Sequence, residues 1–175
     1  MNDAERLELY GALTEPATLT IRRLLPAPID RVWAYLTDDK LRRKWLAAGA
    51  MELRAGAPFE LVWRNDELTS PPGARPEGFA EEHRAQALVT ECDPPRKLAF
   101  DWPSAGHVTF ELEGKDNRTL MTVTHSRVPD RKTLIGVSAG WHAHLDLLAV
   151  RLAGGEAKPF WDEMVRLLVI YERRL

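Results

Sequence analysis

The chain has 175 residues, enough for one domain with a substantial core, and its formal net charge is only −2. Because no block of like charge offers a basic face for phosphates, we expect no nucleic-acid partner. The single cysteine, Cys92, excludes an internal disulfide and suits a reducing compartment. No apolar run approaches the ~20 residues of a membrane span, and the N-terminus lacks the basic and apolar stretches of a signal peptide. We therefore expect no membrane insertion and a cytoplasmic location.

The first part of the chain predicts one strand followed by two short helices. Residues 3–13 fit either a frayed helix or an extended lead-in, and the run 18–24 alternates with β-branched support, which indicates a strand. After Pro28, apolar residues recur at helical spacing and predict a helix with one apolar face: Ile29, Val32, Trp33 and Leu36. Asp38 is a suitable N-cap for the second helix. We interpret the basic run 40–44 as a solvated helix face.

The middle of the chain predicts an antiparallel section. Five segments alternate between apolar and polar residues and indicate strands: 58–64, 84–92, 97–102, 108–113 and 119–127. Residues 65–82 are rich in proline, glycine and charge, and predict a long loop. Such a loop is uncommon inside a compact domain and is often a lid or a binding loop.

The last part of the chain predicts two helices. An apolar stripe indicates a helix over about residues 136–153, ended by Gly154 and Gly155: Trp141, Leu145, Leu148 and Leu152. Pro159 suits the start of another helix, with a second stripe: Phe160, Trp161, Met164, Leu167, Leu168 and Tyr171. Because a short isolated helix is marginal in water, we expect this one to dock on its own domain or on a second copy, which leaves a homodimer open.

The order of strand, proline turn, amphipathic helix and second helical turn ending at Trp45 resembles the opening of one family. These are the START-like ligand-binding proteins of the SRPBCC superfamily related to the activator of heat-shock protein 90 ATPase. Four further segments carry the resemblance, which covers roughly residues 18–153: 91–102, 108–112, 122–126 and 140–148. It implies an α+β helix-grip fold, in which a curved antiparallel sheet wraps around a long C-terminal helix, with two short helices after the first strand. We expect residues 1–175 to form a single START-like domain, with 155–175 as an extra helix.

The alternating strands also predict an apolar lining. Together with the stripe of the late helix, they indicate one set of candidate ligand-binding residues: Trp63, Phe100, Trp102, Phe110, Val123, His125, Trp141, Leu145 and Leu148. Aromatic stripes more often form a solid core, so composition alone leaves both interpretations open. The resemblance favours a cavity between the sheet and the helix.

Histidines are the main candidates for chemistry. His125 points toward the apolar face, where it is either an acid–base group or, as we prefer, a hydrogen-bonded core residue. His142 and His144 lie on opposite sides of a helix and do not suit zinc, whereas His142 and Asp146 have the spacing of a solvated surface pair. No motif for a nucleophile or a phosphate loop occurs. We expect no metal, no cofactor and no catalytic residue.

Three functions remain. The first is binding of a small apolar ligand in an internal cavity, as a carrier or a sensor. The second is a cavity enzyme of the polyketide cyclase or hydrolase type, which would need at least two convergent polar groups, whereas the sequence offers one, His125. The third is a chaperone-associated interaction domain, as the family name suggests. We expect binding rather than catalysis.

Overall fold

Seven strands and four helices make up residues 8–175, the part of the chain that the computed structural model describes. In chain order they are β1 (Ala12–Glu15), β2 (Thr18–Leu25), α1 (Ile29–Thr37), α2 (Asp39–Arg42), β3 (Pro58–Trp63), β4 (His83–Asp93), β5 (Lys97–Trp102), β6 (Gly106–Lys115), β7 (Arg118–Ser126), α3 (Arg131–Ala153) and α4 (Phe160–Arg174). A 3-10 turn, Asn65–Glu67, follows β3. Of the predicted lead-in, residues 3–7 lie outside the described residues.

The strands form one sheet in the order β1-β2-β7-β6-β5-β4-β3, and every neighbouring pair is antiparallel. The register brings the end of β7 beside the start of β2, where Leu19 lies opposite His125. The long helix α3 packs against this curved sheet, and the two short helices α1 and α2 follow β2. The α+β helix-grip fold that the sequence predicts is confirmed.

Alternation along the strands produces the core. On β6 and β7, every second residue faces inward and is buried: Val108, Phe110, Leu112, Met121, Val123 and His125. From the other side, α3 buries its predicted stripe: Trp141, Leu145, Leu148 and Leu152. A two-residue period on the strands and a helical period on α3 therefore meet as two complementary apolar surfaces.

The predicted boundaries differ from the structure mainly where a cap or an edge strand sets them. The long helix begins at Arg131 rather than near residue 136, because the Asp130 side chain accepts a hydrogen bond from the Thr133 amide at 2.7 Å and caps the first turn. It ends at Gly154, whose φ of 71° is the left-handed conformation that glycine adopts most readily. The predicted lead-in, residues 3–13, overlaps only the first two residues of β1, a short edge strand that pairs with β2.

Arg42 corrects the interpretation of the basic run as a wholly solvated face. Its side chain is buried, and the guanidinium donates to four backbone carbonyls: Leu36, Thr37, Ala47 and Gly49. Burial lowers the pKa of Arg42. Because the carbonyls satisfy the buried donors, this arginine holds the segment after α2 against the end of α1. The pattern of charges along α2 does not indicate these carbonyls, because they belong to α1 and to the segment after α2.

The C-terminal helix docks on its own domain. It packs along α3 and buries most of its apolar stripe: Phe160, Trp161, Met164, Leu167 and Tyr171. The long loop before β4 is fixed to the start of this helix, since the Trp161 indole N–H donates to Asp66 at 2.7 Å and the Phe160 amide donates to the Thr69 hydroxyl at 3.0 Å. The loop and α4 therefore form one wall beside α3.

A buried chain of hydrogen bonds attaches α4 to α3. The Gly11 amide donates to the Tyr171 hydroxyl at 2.7 Å, and this hydroxyl lies 3.0 Å from Nδ1 of His142. Nε2 of His142 lies 3.2 Å from Asp146, which also accepts from Arg23 Nε at 3.1 Å. The prediction of a solvated pair was therefore wrong for His142, whose ring is buried beneath α4. The spacing of four residues correctly paired His142 with Asp146, but it did not indicate that α4 buries the His142 ring.

We predict that Tyr171→Phe lowers the free energy of unfolding by about 1–3 kcal/mol, because it leaves the Gly11 amide and His142 Nδ1 unpaired in a buried site. Urea unfolding measures this change. The control is Tyr35→Phe, since Tyr35 is also largely buried, but its hydroxyl forms no hydrogen bond with residues 8–175 and is not fully enclosed by them. Equal stabilities of the two variants would contradict a role for the hydroxyl in docking α4.

Candidate ligand-binding pocket

A cavity of about 410 Å³ lies beside the first half of α3. Its other walls are the ends of β3 and β5, the long loop and the start of α4. Aromatic side chains dominate the lining: Trp63, Phe79, Trp102, Trp141 and Trp161. The remaining lining residues are small, aliphatic or polar: Leu46, Asn65, Gly78, Ala80, His83, Thr133, Gly136, Val137, Gly140 and His144.

The open space follows from one stripe of α3. Six residues at spacings of three and one share the face toward the cavity: Thr133, Gly136, Val137, Gly140, Trp141 and His144. A Cβ atom added at Gly136 or at Gly140 would meet no heavy atom of the described residues within 4 Å, apart from its chain neighbours and the adjacent backbone of its own helix. Each glycine costs a helix interior roughly 0.5–1 kcal/mol relative to alanine. The helix therefore has two glycines that lower its stability at positions where a larger side chain would occupy the cavity.

His125 lies behind the tryptophans of the cavity and is fully buried. Its Nδ1 accepts a hydrogen bond from the Trp141 indole at 3.0 Å, so the proton of the neutral ring is on Nε2, which donates to the Ala105 carbonyl at 2.9 Å. Burial lowers the pKa of His125 to about 4. The ring also packs on Trp102, which in turn stacks on Trp63 with centroids 5.1 Å apart. This geometry is that of a hydrogen-bonded core histidine that fixes the indoles around it.

His144 is one of the polar lining residues that the sequence interpretation did not predict. Its Nδ1 lies 2.7 Å from the Trp45 carbonyl, and its ring packs on Phe160 with centroids 4.8 Å apart. Burial lowers the pKa of His144 to about 4, so the ring is neutral near pH 7. The sequence could have indicated this position, because His144 is four residues after Gly140 and therefore shares its helical face.

Two lining residues each have one polar atom that is buried and has no hydrogen-bond partner within residues 8–175. They are the indole nitrogen of Trp102, a donor, and the Oδ1 atom of Asn65, an acceptor. An unsatisfied buried polar atom costs about 1–3 kcal/mol. Because both atoms are completely enclosed by protein, they do not present polar groups to the cavity.

The nine predicted site residues divide into two groups. Trp63, Trp102 and Trp141 line the cavity. The other six lie in the core beside it, outside the lining: Phe100, Phe110, Val123, His125, Leu145 and Leu148. Strand parity identifies which residues face α3, but it does not indicate at which end of the helix the sheet and helix separate. Strand parity also does not indicate Phe79 or Trp161, because these residues belong to the long loop and to α4.

Residues 8–175 offer neither a metal-binding cluster nor a helix suited to crossing a membrane. In that range, no cluster of three or more histidine, cysteine, aspartate or glutamate side chains has the proximity needed to hold a metal ion. None of the described helices combines the length and apolar character that crossing a membrane requires.

We predict that stability falls as the pH is lowered from about 6.5 to about 4. The unfolded histidines bind protons at their ordinary pKa of 6.5, whereas His125 and His144 in the folded protein bind them only near pH 4. The unfolded state therefore holds more protons in this window, and each histidine costs up to about 3 kcal/mol by its lower end. Below the window these groups add no further loss.

Urea unfolding between pH 7 and pH 4 tests this prediction. In His125→Gln the decline with pH should be shallower, because one of the two titrating groups is absent. His83→Gln, which changes an exposed histidine, is the control and should decline like the wild type. A His125→Gln curve parallel to that of the wild type would contradict the assignment of this loss to the buried ring.

Comparisons with known proteins agree with this architecture. A profile of the Activator of Hsp90 ATPase homolog 1-like protein family matches residues 26–153. A Bordetella parapertussis protein solved by NMR is 38% identical, with a TM-score of 0.78, over 95% of this chain and 90% of that chain. CalU16 from Micromonospora echinospora is 23% identical with a TM-score of 0.67, over 93% of this chain and 95% of its own.

An Arthrobacter aurescens protein is 20% identical with a TM-score of 0.65, over 82% of this chain and 91% of its own. At these lower identities the similarity establishes the fold alone. No curated protein matches the sequence. Because the profile spans most of the chain and a relative at 38% identity covers nearly all of it, this protein belongs to the Activator of Hsp90 ATPase homolog 1-like family.

Proposed function

We propose that this protein binds a small, largely apolar molecule in the cavity beside α3, as a carrier or a sensor. The observation that carries the proposal is the room above Gly136 and Gly140 on a helix that otherwise packs tightly. A helix that served only to fill the sheet would gain stability from larger residues at both positions.

The size and the composition of the cavity support this function. Its volume of about 410 Å³ falls in the range of small-molecule sites. Such sites combine apolar and aromatic walls with a few polar groups that orient the ligand. Here four tryptophans and Phe79 supply the walls, while His144 and Thr133 supply polar side chains.

The position of the cavity also supports ligand entry. Part of the lining comes from exposed residues of the long loop and from the exposed His83, so the cavity borders solvent on that side. Phe79 packs edge-on against Trp161, with centroids 5.3 Å apart, and its ring is still partly exposed. We propose that a ligand enters past Phe79, where displacing one side chain breaks no strand pairing.

A fluorescent probe tests the proposal directly. The wild type should bind 8-anilinonaphthalene-1-sulfonate with increased fluorescence, and mid-sized apolar compounds should displace it. Native mass spectrometry of the purified protein then asks whether a small molecule accompanies the chain. Conversion of a displacing compound during incubation would favour the cavity enzyme over the carrier.

We predict that Gly140→Leu weakens binding of this probe at least tenfold, because the new side chain occupies the cavity. Gly140→Ala should instead raise the free energy of unfolding by about 0.5–1 kcal/mol, as removal of a mid-helix glycine does. Thermal unfolding and fluorescence titration measure the two effects.

The control is Ala153→Leu, which adds the same side chain to an exposed position at the end of α3, away from the cavity. This variant should bind the probe as the wild type does. If Gly140→Leu and Ala153→Leu bind it equally well, the probe occupies another surface and the proposed site is wrong.

A further inference from the structure

His144 presents a hydrogen-bond acceptor at a fixed point of the cavity. The Trp45 carbonyl can only accept, so Nδ1 of His144, 2.7 Å away, carries the proton. The ring is neutral, since burial lowers its pKa to about 4. The lone pair of the neutral ring is therefore on Nε2.

The Nε2 atom is available to a ligand. It has no hydrogen-bond partner among the described residues, and it is not one of the buried atoms that protein completely encloses. Because His144 is otherwise buried and lines the cavity, the remaining access to Nε2 is from the cavity.

The surroundings of His144 hold its ring in place. Phe160 packs against the ring. The partner residue Trp45 is itself fully buried, and its indole donates to the Tyr35 carbonyl at 2.8 Å. Turning the imidazole would break the bond from Nδ1 and leave a buried carbonyl unpaired. The acceptor thus has one position relative to the aromatic walls.

We propose that the cavity selects apolar, ring-containing molecules that carry a hydroxyl or N–H group, and that His144 Nε2 accepts the hydrogen bond from this group. The inference rests on the proposed function and adds the chemical class of the ligand. Aromatic walls favour flat rings, which stack or meet edge-to-face with indoles. A buried acceptor left without a donor disfavours molecules that lack one.

A matched pair of probes tests this selectivity. 2-Naphthol and 2-methoxynaphthalene share one ring system, but only the naphthol can donate. Each is titrated against the wild type preloaded with 8-anilinonaphthalene-1-sulfonate. We expect 2-naphthol to bind about three- to tenfold more tightly, the preference that one neutral hydrogen bond gives.

Two variants locate the preference. The amide of His144→Asn can still donate to the Trp45 carbonyl but does not reach the position of Nε2, so the preference for naphthol should disappear. The longer His144→Gln places an amide oxygen near that position and should retain it. A preference that survives in His144→Asn at the wild-type level overturns the proposal.

A spectroscopic readout is independent of how the variants fold. In the ¹⁵N-labelled wild type, 2-naphthol should shift the Nε2 resonance of His144, and 2-methoxynaphthalene should not. Equal affinity for both probes, or no such shift, refutes the acceptor role and leaves the carrier function standing. Failure of both probes and of the anilinonaphthalene dye to bind the wild type refutes the proposed function and this inference together.

Discussion

The rotational setting of α3 is the constraint on which the rest of the structure depends. Three histidine contacts fix it: Trp141 of the helix donates to His125 on β7, His144 donates to the carbonyl of Trp45, and His142 joins Tyr171 of α4. These bonds reach the sheet, the segment after α2 and the C-terminal helix respectively. Because directional bonds hold the helix on three sides, the stripe with Gly136 and Gly140 faces the cavity.

Neutral imidazoles are suited to fixing the orientation of α3, because each ring offers one hydrogen-bond donor and one acceptor on opposite edges. His125 uses both, linking the Trp141 indole to the Ala105 carbonyl, so a ring inside an apolar core leaves no polar atom unsatisfied. His144 uses only one toward protein. The difference separates a structural histidine from one available to a ligand, although both are buried and both have lowered pKa values.

Sequence periodicity was sufficient to identify most strands and α3, because these elements are amphipathic in ways that a local pattern records, whereas the helix-grip arrangement was implied by the family resemblance. Burial of one sheet face is enough to produce the alternation seen at Val108, Phe110 and Leu112. By contrast, the burial of Arg42 depends on carbonyls beyond its own helix, and the burial of His142 depends on α4 covering it. Such features are set by distant segments, and a window of neighbouring residues does not contain them.

The same reason explains why only part of the candidate site could be predicted. Along α3 the inward-facing residues change from glycines in the first half to Leu145, Leu148 and Leu152 in the second, and these leucines are buried outside the cavity lining. Phe100, Phe110 and Val123 are buried outside the lining, and Phe110 packs edge-on against Trp141, whereas Trp63 and Trp102 line the cavity. One helix therefore divides into a packing half, where volume determines stability, and a binding half, where missing volume leaves room for a ligand.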